Sequence, residues 1–236
     1  MIIGPVGSTR ASDIVNDPFG NLWILSDDIY RYDKISGTVN SYGLSELSPS
    51  HIETDSDGVV WMTVRTGGLY RYDSRRDRFE KYIVSVDGKP ETGICFNRIR
   101  AISESNLLVS TTDQDVILVN TGDFSGRRIF KHQFFTTKTE IYDIIERQPG
   151  EFWCGTDQGI YIFDAITEGD HYSFMKYEVT DSHSISSDSV RNLMVDKEGN
   201  VWIGTYFGGL NLWLNQRDAY SVFYENPSTN SISGRI

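Results

Sequence analysis

The side chains of this chain that could do chemistry are polar and aromatic residues set beside glycines in short turns. Arg65, Asp113, Asp157, Gln158, Tyr206 and Phe207 each follow a tryptophan, or the leucine that replaces it, by four or five residues. Two carboxylates such as Asp113 and Asp157 are the equipment of glycoside hydrolysis when they flank one bond. A lone Arg65 where other repeats carry Asp28, Asp113 or Asp157 suits an ion pair or a ligand anchor. The Tyr206-Phe207 pair can stack on the apolar face of a sugar or pack on its own chain. Aspartates also favour turns for purely local reasons, so spacing alone leaves these readings open. The same turns contain Asp27, Thr66, Thr112 and Thr156, and the linkers that precede each repeat add Glu46, Glu91, Asn97, Ser187 and Asp188.

Other chemistries have less support. His51, His132, His171 and His183 fall in different repeats without ligand spacing. The run Asp55-Ser56-Asp57-Gly58 has two carboxylates near a glycine but lacks the full spaced loop of a calcium site, and reads as a β-turn. Cys95 and Cys154 fit neither a disulfide framework nor a metal motif, and Cys154, next to Trp153, reads as a small buried hydrophobe. There is no nucleophile elbow, zinc-protease helix, P-loop or dinucleotide fingerprint. The expectation is a chain that is not an enzyme, with no catalytic residue, no metal and no cofactor.

Charge narrows the partners. With 33 acidic and 22 basic residues the net charge is −11, which disfavours a nucleic-acid backbone or an anionic membrane. No apolar run approaches the ~20 residues of a membrane span. The start, MIIGPVGSTRASD, lacks the basic and apolar regions of a signal peptide. These features predict no membrane contact by this segment, and a cytoplasmic location if the chain is a complete natural protein.

The elements that position the turns come from a repeat. Residues 57–73 read DGVVWMTVRTGGLYRYD and residues 198–213 read EGNVWIGTYFGGLNLW. Weaker copies are GNLWILSDDIYRYD at 20–33, NLLVSTTDQDVILVN at 106–120 and GEFWCGTDQGIYIFD at 150–164. Trp23, Trp61, Leu108, Trp153 and Trp202 are equivalent, and their spacing gives units of about 45 residues. Each unit reads as four short strands: an alternating segment, the tryptophan strand, a third strand such as LYRYD, and an aromatic fourth. In VWIG, Trp202 and Gly204 face one side, the glycine keeping that face flat beside the indole, while Ile203 and Thr205 face the other. A tandem four-stranded unit of this length is a β-propeller blade. A β-sandwich has no reason to repeat one phrase, and β-helix coils are shorter. The fold expected is all-β, a β-propeller of four-stranded antiparallel blades, with the tryptophans packing between blades. One propeller region spans 1–236, with blades at 11–44, 49–84, 97–135, 140–178 and 189–225, and residues 226–236 starting another. About five blades read as a partial propeller, whose open strand edges predict a homodimer.

The phrases DGVVWMTVRTGGLYRYD and EGNVWIGTYFGGLNLW, with the linkers GLSELS at 43–48 and NSIS at 230–233, resemble the two-component regulator propeller repeat. The likeness runs along the whole chain. It is weakest in the third unit, where Leu108 and Gln114-Asp115 replace the tryptophan and the glycine pair. The resemblance implies the periplasmic sensor region of a membrane-anchored hybrid two-component histidine kinase of the Bacteroides type. It further implies an oligosaccharide ligand and, as partners, the remaining propeller and signalling domains of the parent receptor. The alternatives are a protein–protein interaction propeller and a propeller glycoside hydrolase or lyase.

Overall fold

Alternating apolar residues and Asp- or Gly-led turns give strands three to eight residues long, and hairpins stack them into five sheets. The computed structural model describes residues 11–91, 93–103, 105–131, 139–164, 172–181, 183–215 and 219–223. His132, His171, the NSIS linker at 230–233 and the segment 226–236 lie outside the described residues. The chain divides into two compact units, 1–128 and 129–236.

In the first unit, β1 (Asp13–Asn16), β2 (Asn21–Leu25), β3 (Ile29–Asp33) and β4 (Val39–Ser41) form the first sheet, paired in chain order. The second holds β5 (Pro49–Thr54), β6 (Val60–Val64), β7 (Leu69–Asp73) and β8 (Arg78–Tyr82). The third departs from the four-strand expectation. Its β11 (Phe96–Ser103), β12 (Asn106–Thr111), β13 (Val116–Asn120) and β14 (Ser125–Phe130) are extended by β9 (Val84–Val86) and β10 (Lys89–Glu91), in the order β10-β9-β14-β13-β12-β11. The β9–β10 hairpin turns at Asp87-Gly88, both with positive φ, and β9 runs parallel to β14. Asp-Gly is the usual pair for so tight a turn. The hairpin places Glu91 in the strand at the opposite edge from β11, not in a loop leading to the first strand.

In the second unit, β15 (Ile141–Gln148), β16 (Glu151–Thr156), β17 (Gly159–Asp164) and β18 (Tyr172–Met175) form the fourth sheet. The fifth contains β19 (Val190–Val195), β20 (Val201–Thr205), β21 (Gly209–Leu214) and β22 (Ala219–Phe223). The protein is an all-β, five-bladed β-propeller built mainly of four-stranded antiparallel sheets.

Within each unit the cores lie between consecutive blades, because each small sheet must cover its apolar face with a neighbour. Trp23, Leu25 and Ile29 of the first blade pack with Ile52, Met62 and Val64 of the second. Trp61 and Leu69 of the second pack with Val84, Ile99 and Val109 of the third. In the second unit Trp153 and Ile160 meet Val190, Leu193 and Ile203. Trp23, Trp61 and Trp153 are almost wholly buried, while Trp202 is half-buried. Cys154 is buried too, and burial pushes its thiol well up, which leaves it an inert packing group.

A carboxylate orients each indole. Asp17 Oδ2 accepts from Trp23 Nε1 at 2.8 Å, Asp55 Oδ2 from Trp61 Nε1 at 2.7 Å, and Asp196 Oδ2 from Trp202 Nε1 at 3.0 Å. The other oxygen of each accepts two backbone N–H groups of the intervening turn. The oxygens of Asp55 are thus taken up by turn and indole donors, which accounts for the Asp-Ser-Asp-Gly run as turn chemistry. In the fourth blade Arg147 stands at the aspartate's place, and Glu151 Oε1 takes over the Trp153 indole at 2.8 Å. Arg147 pairs with Glu151 and lies over the Trp213 ring at 5.0 Å.

The Arg147 guanidinium beside Glu151 holds its carboxyl below the ordinary value of 4.5. A carboxyl depressed in the folded state adds stability that is present above the unfolded value and lost as pH falls through the folded one. Glu151→Gln is therefore expected to destabilise the protein at neutral pH and to flatten its loss of stability as pH falls below the ordinary carboxyl value of 4.5. Urea titrations at a series of pH values check this, and an unchanged slope would count against the pair.

A second clamp joins first strands of successive blades. Asp13 Oδ2 accepts from the backbone N–H of Ile52 at 3.0 Å, and Asp143 Oδ2 accepts from that of Leu193 at 2.8 Å. Asp13 also stands 3.3 Å from His51 Nε2, and burial raises its carboxyl pKa.

Candidate functional site

The turns between second and third strands lie beside the starts of the first strands, because the end of each second strand pairs with that start. Ile141 pairs with Thr156 and Val190 with Thr205. Just after each of these pairs the register shifts, so Tyr142 and Arg191 are the extra residues of β-bulges. The same place bulges at Ser50 in the second blade and at Asn97–Arg98 in the third. A bulge re-aims a side chain out of the ladder's alternation. Here it brings first-strand residues to the level of the turns.

In the second unit the result is a compact constellation. The Arg191 guanidinium carbon lies 3.6 Å from the Tyr142 ring centroid and 4.8 Å from that of Tyr206. Tyr206 and Phe207 meet edge to face, with centroids 4.4 Å apart. They are 50% and 72% exposed, far from the burial expected of packing aromatics. Tyr142 Oη donates to Glu140 Oε2 at 3.1 Å, and the Glu140 N–H donates to Asp157 Oδ1 at 3.2 Å. Removal from water raises the Tyr142 hydroxyl pKa, so it stays a neutral donor.

The linker before β19 holds the turn in place. Ser186 N donates to Asn211 Oδ1 and Asn211 Nδ2 donates to Ser186 Oγ, both at 2.9 Å. The Tyr206 N–H donates to Ser189 O at 2.8 Å. A Cβ at Gly208 would fall 2.4 Å from Ser186 Oγ, so glycine is what lets the linker lie on the turn.

The residues expected from the sequence are thus divided. Asp157, Tyr206 and Phe207 come together in the second unit, and Gln158 is the next residue of the same turn, its N–H donating to Thr156 Oγ1 at 3.1 Å. Arg65 and Asp113 are exposed turn residues of the first unit. Arg65 N–H donates to Ser48 O at 3.0 Å. Asp28, among the further candidates, is buried and clips its own linker, accepting from Ser41 Oγ, Gly43 N and Leu44 N. Thr66 and Thr156 hydroxyls donate to backbone carbonyls of Leu47 and Gly159. Asp188 accepts from the Tyr177 N–H at 2.6 Å. Glu46 is exposed in a single 3-10 turn, Ser45–Leu47, and the Asn97 carbonyl accepts from Thr63 Oγ1. Tyr142, Arg191 and Glu140 did not emerge from the sequence. Their signal is a shared four-residue phrase that opens the first strands: PSHI at 49–52, FNRI at 96–99, IYDI at 141–144 and VRNL at 190–193. Its second residue bulges toward the turn.

Among the described residues there is no cluster of three or more metal-ligating side chains, and no helix long and apolar enough to cross a membrane. The two-component regulator propeller family model matches residues 184–207, which are the linker, β19, β20 and the Tyr206-Phe207 turn. No curated protein matches the chain. The extracellular domain of the putative hybrid two component system BT4673 from B. thetaiotaomicron is similar in structure, with a TM-score of 0.73, 15% identity, and coverage of 96% of this chain and 29% of that one. That of BT3049, from the same organism, gives 0.72, 16%, 93% and 31%. The chain spans about three-tenths of the length of these two domains. Virginiamycin B lyase from Staphylococcus aureus gives a TM-score of 0.70, 13% identity, and coverage of 94% and 72%. This last likeness corrects the expectation that the chain is not an enzyme. A lyase has this architecture at a similar score and broad coverage, so the fold gives no ground for excluding catalysis. The chain is a five-bladed β-propeller that carries a match to the two-component regulator propeller at residues 184–207 and resembles in fold the extracellular domains of putative hybrid two component systems of B. thetaiotaomicron.

Proposed function

We propose that this chain is part of the extracytoplasmic ligand-sensing region of a membrane-anchored signalling receptor, and that it holds an oligosaccharide on the face formed by Tyr142, Arg191, Tyr206 and Phe207. The observation that carries this reading is the exposed pair Tyr206-Phe207, fixed by its linker and braced by Arg191. Exposed rings held rigid at a loop offer apolar area to a sugar face at low entropic cost. Glu140 and Asp157 beside them supply acceptors for sugar hydroxyls. The propeller repeat at 184–207 and the likeness to the two receptor domains support the signalling context. In the parent receptor, a ligand here would bias the packing of this region against its neighbouring modules.

Calorimetric titration with a panel of neutral and acidic oligosaccharides tests the reading. Tyr206→Ala and Phe207→Ala are each expected to weaken binding about tenfold, or ~1.4 kcal/mol, with the melting temperature unchanged because both rings are exposed. Full affinity in both variants would move the ligand elsewhere. The lyase likeness makes turnover a second reading, and the same mixtures should be assayed for new products.

A further inference from the structure

Arg191, like Arg71 on the Trp61 ring, contacts aromatic rings and no described carboxylate, unlike most arginines whose contacts are described. Arg76, Arg78, Arg128 and Arg147 each hold a carboxylate. Arg191 makes no hydrogen bond or ion pair with a described residue, although acidic residues outnumber basic ones 33 to 22, and its Nε is buried without a partner. The Tyr142 and Tyr206 rings lie against its guanidinium instead, with centroids 3.6 and 4.8 Å from Cζ. A ring against a guanidinium takes up its face and not its edge, and the N–H donors point along that edge. The carboxylates of this cluster each accept one hydrogen bond from within it, Glu140 from the Tyr142 hydroxyl and Asp157 from the Glu140 N–H.

We infer that the ligand of this face is an acidic carbohydrate, a uronic-acid oligosaccharide whose carboxylate meets the edge of Arg191 while a neighbouring ring rests on Phe207. This rests on the carbohydrate reading of the face above. The planar fork of a guanidinium matches a planar carboxylate, which it engages through two parallel hydrogen bonds, better than a tetrahedral sulfate. Cation–π contact with two tyrosines holds the guanidinium in place before the ligand arrives, so less side-chain freedom is lost on binding. The free lone pairs of Asp157 and Glu140 then accept hydroxyls of the adjoining sugar.

The test is calorimetry on the full chain with a set of uronate trisaccharides of differing linkage, each paired with its carboxyl-reduced neutral form, plus a sulfated neutral trisaccharide. At least one uronate is expected to bind about tenfold or more tighter than its reduced partner and than the sulfated probe. Arg191→Met should erase that preference, and Arg191→Lys should keep part of it with a steeper salt dependence. Melting curves of both variants establish that they are folded. Equal binding of uronate and reduced forms would overturn the acidic inference and leave the carbohydrate reading standing. A preference retained in Arg191→Met would overturn the assignment to this residue, and tighter binding of the sulfated probe would overturn the carboxylate. No binding by any sugar would sink both readings.

Discussion

Trp23→Ala is expected to lower the unfolding free energy by about 4 kcal/mol, the range for an aromatic removed from a packed core. The indole is fully buried and sits at the centre of a cluster that joins the first two blades. Its ring lies 4.6 Å from that of Tyr72, 5.7 Å from Phe79 and 5.5 Å from Tyr42, the first two edge-on and the last stacked. The Arg31 guanidinium carbon lies 5.6 Å from the same ring. Truncation leaves a cavity that β-strands on both sides are too constrained to close, and strips Asp17 Oδ2 of its indole donor. Trp23→Phe retains most of the contact area and should cost about half as much. Asp17→Ala removes the acceptor of Trp23 Nε1, Asn21 Nδ2 and two backbone N–H groups, and should cost about 1–3 kcal/mol. Urea unfolding followed by circular dichroism measures all three. A loss under about 1 kcal/mol for Trp23→Ala would mean that the interface between these blades does little for the stability of the first unit.

Gly159→Ala should be the most damaging glycine substitution in the second unit. Gly159 opens β17 with φ +123°, and an added Cβ would stand 2.2 Å from the Met175 carbonyl oxygen of the neighbouring strand and 3.1 Å from the Phe174 ring. The clash is with backbone, so no side-chain rotation relieves it, and the conformation is itself strained for alanine. The two effects together should cost about 3 kcal/mol or more. Gly204→Ala is the control. The sequence suggests that Gly204 keeps its face clear for the indole, but a Cβ there meets nothing nearer than Asn192 Cβ at 3.6 Å, and φ is not positive. That replacement should be neutral or stabilise by up to about 0.5 kcal/mol. Similar melting temperatures for the two variants would contradict the geometry at Gly159.

Blades were legible because burial imposes a period. Each sheet must cover a face with its neighbour, so every repeat but the third, which has Leu108, returns a large ring at one place, from Trp23 to Trp202. The order Asp, five residues, Trp was also in the sequence, at Asp17-Trp23, Asp55-Trp61 and Asp196-Trp202, but only the hydrogen bonds show what it does. The β9–β10 hairpin was less legible. Its strands are three residues long, and its Asp87-Gly88 turn looks like any linker until Val84 and Val86 are seen buried against the third blade. Tyr206 and Phe207 could be named in advance because they break the small polar pattern of their turn. Tyr142 and Arg191 could not, since alternation alone assigns a strand residue to a sheet face, and a bulge cancels that rule.

What the sequence by itself determined is the repeat, its all-β character, the four-strand plan of most blades and the set of turns where a ligand could sit. These follow from local chemistry: alternation, turn residues and a recurrent indole. Only the tertiary structure decided which side chains gather at those turns. Asp28 folded back onto its own linker, whereas Asp157 and Tyr206 were joined by Tyr142 and Arg191 from first strands and by Glu140 just before β15. The physical reason is register. Pairing of first with second strands, shifted by one residue at each bulge, sets which side chains share a level, and no local property of the residues fixes that shift.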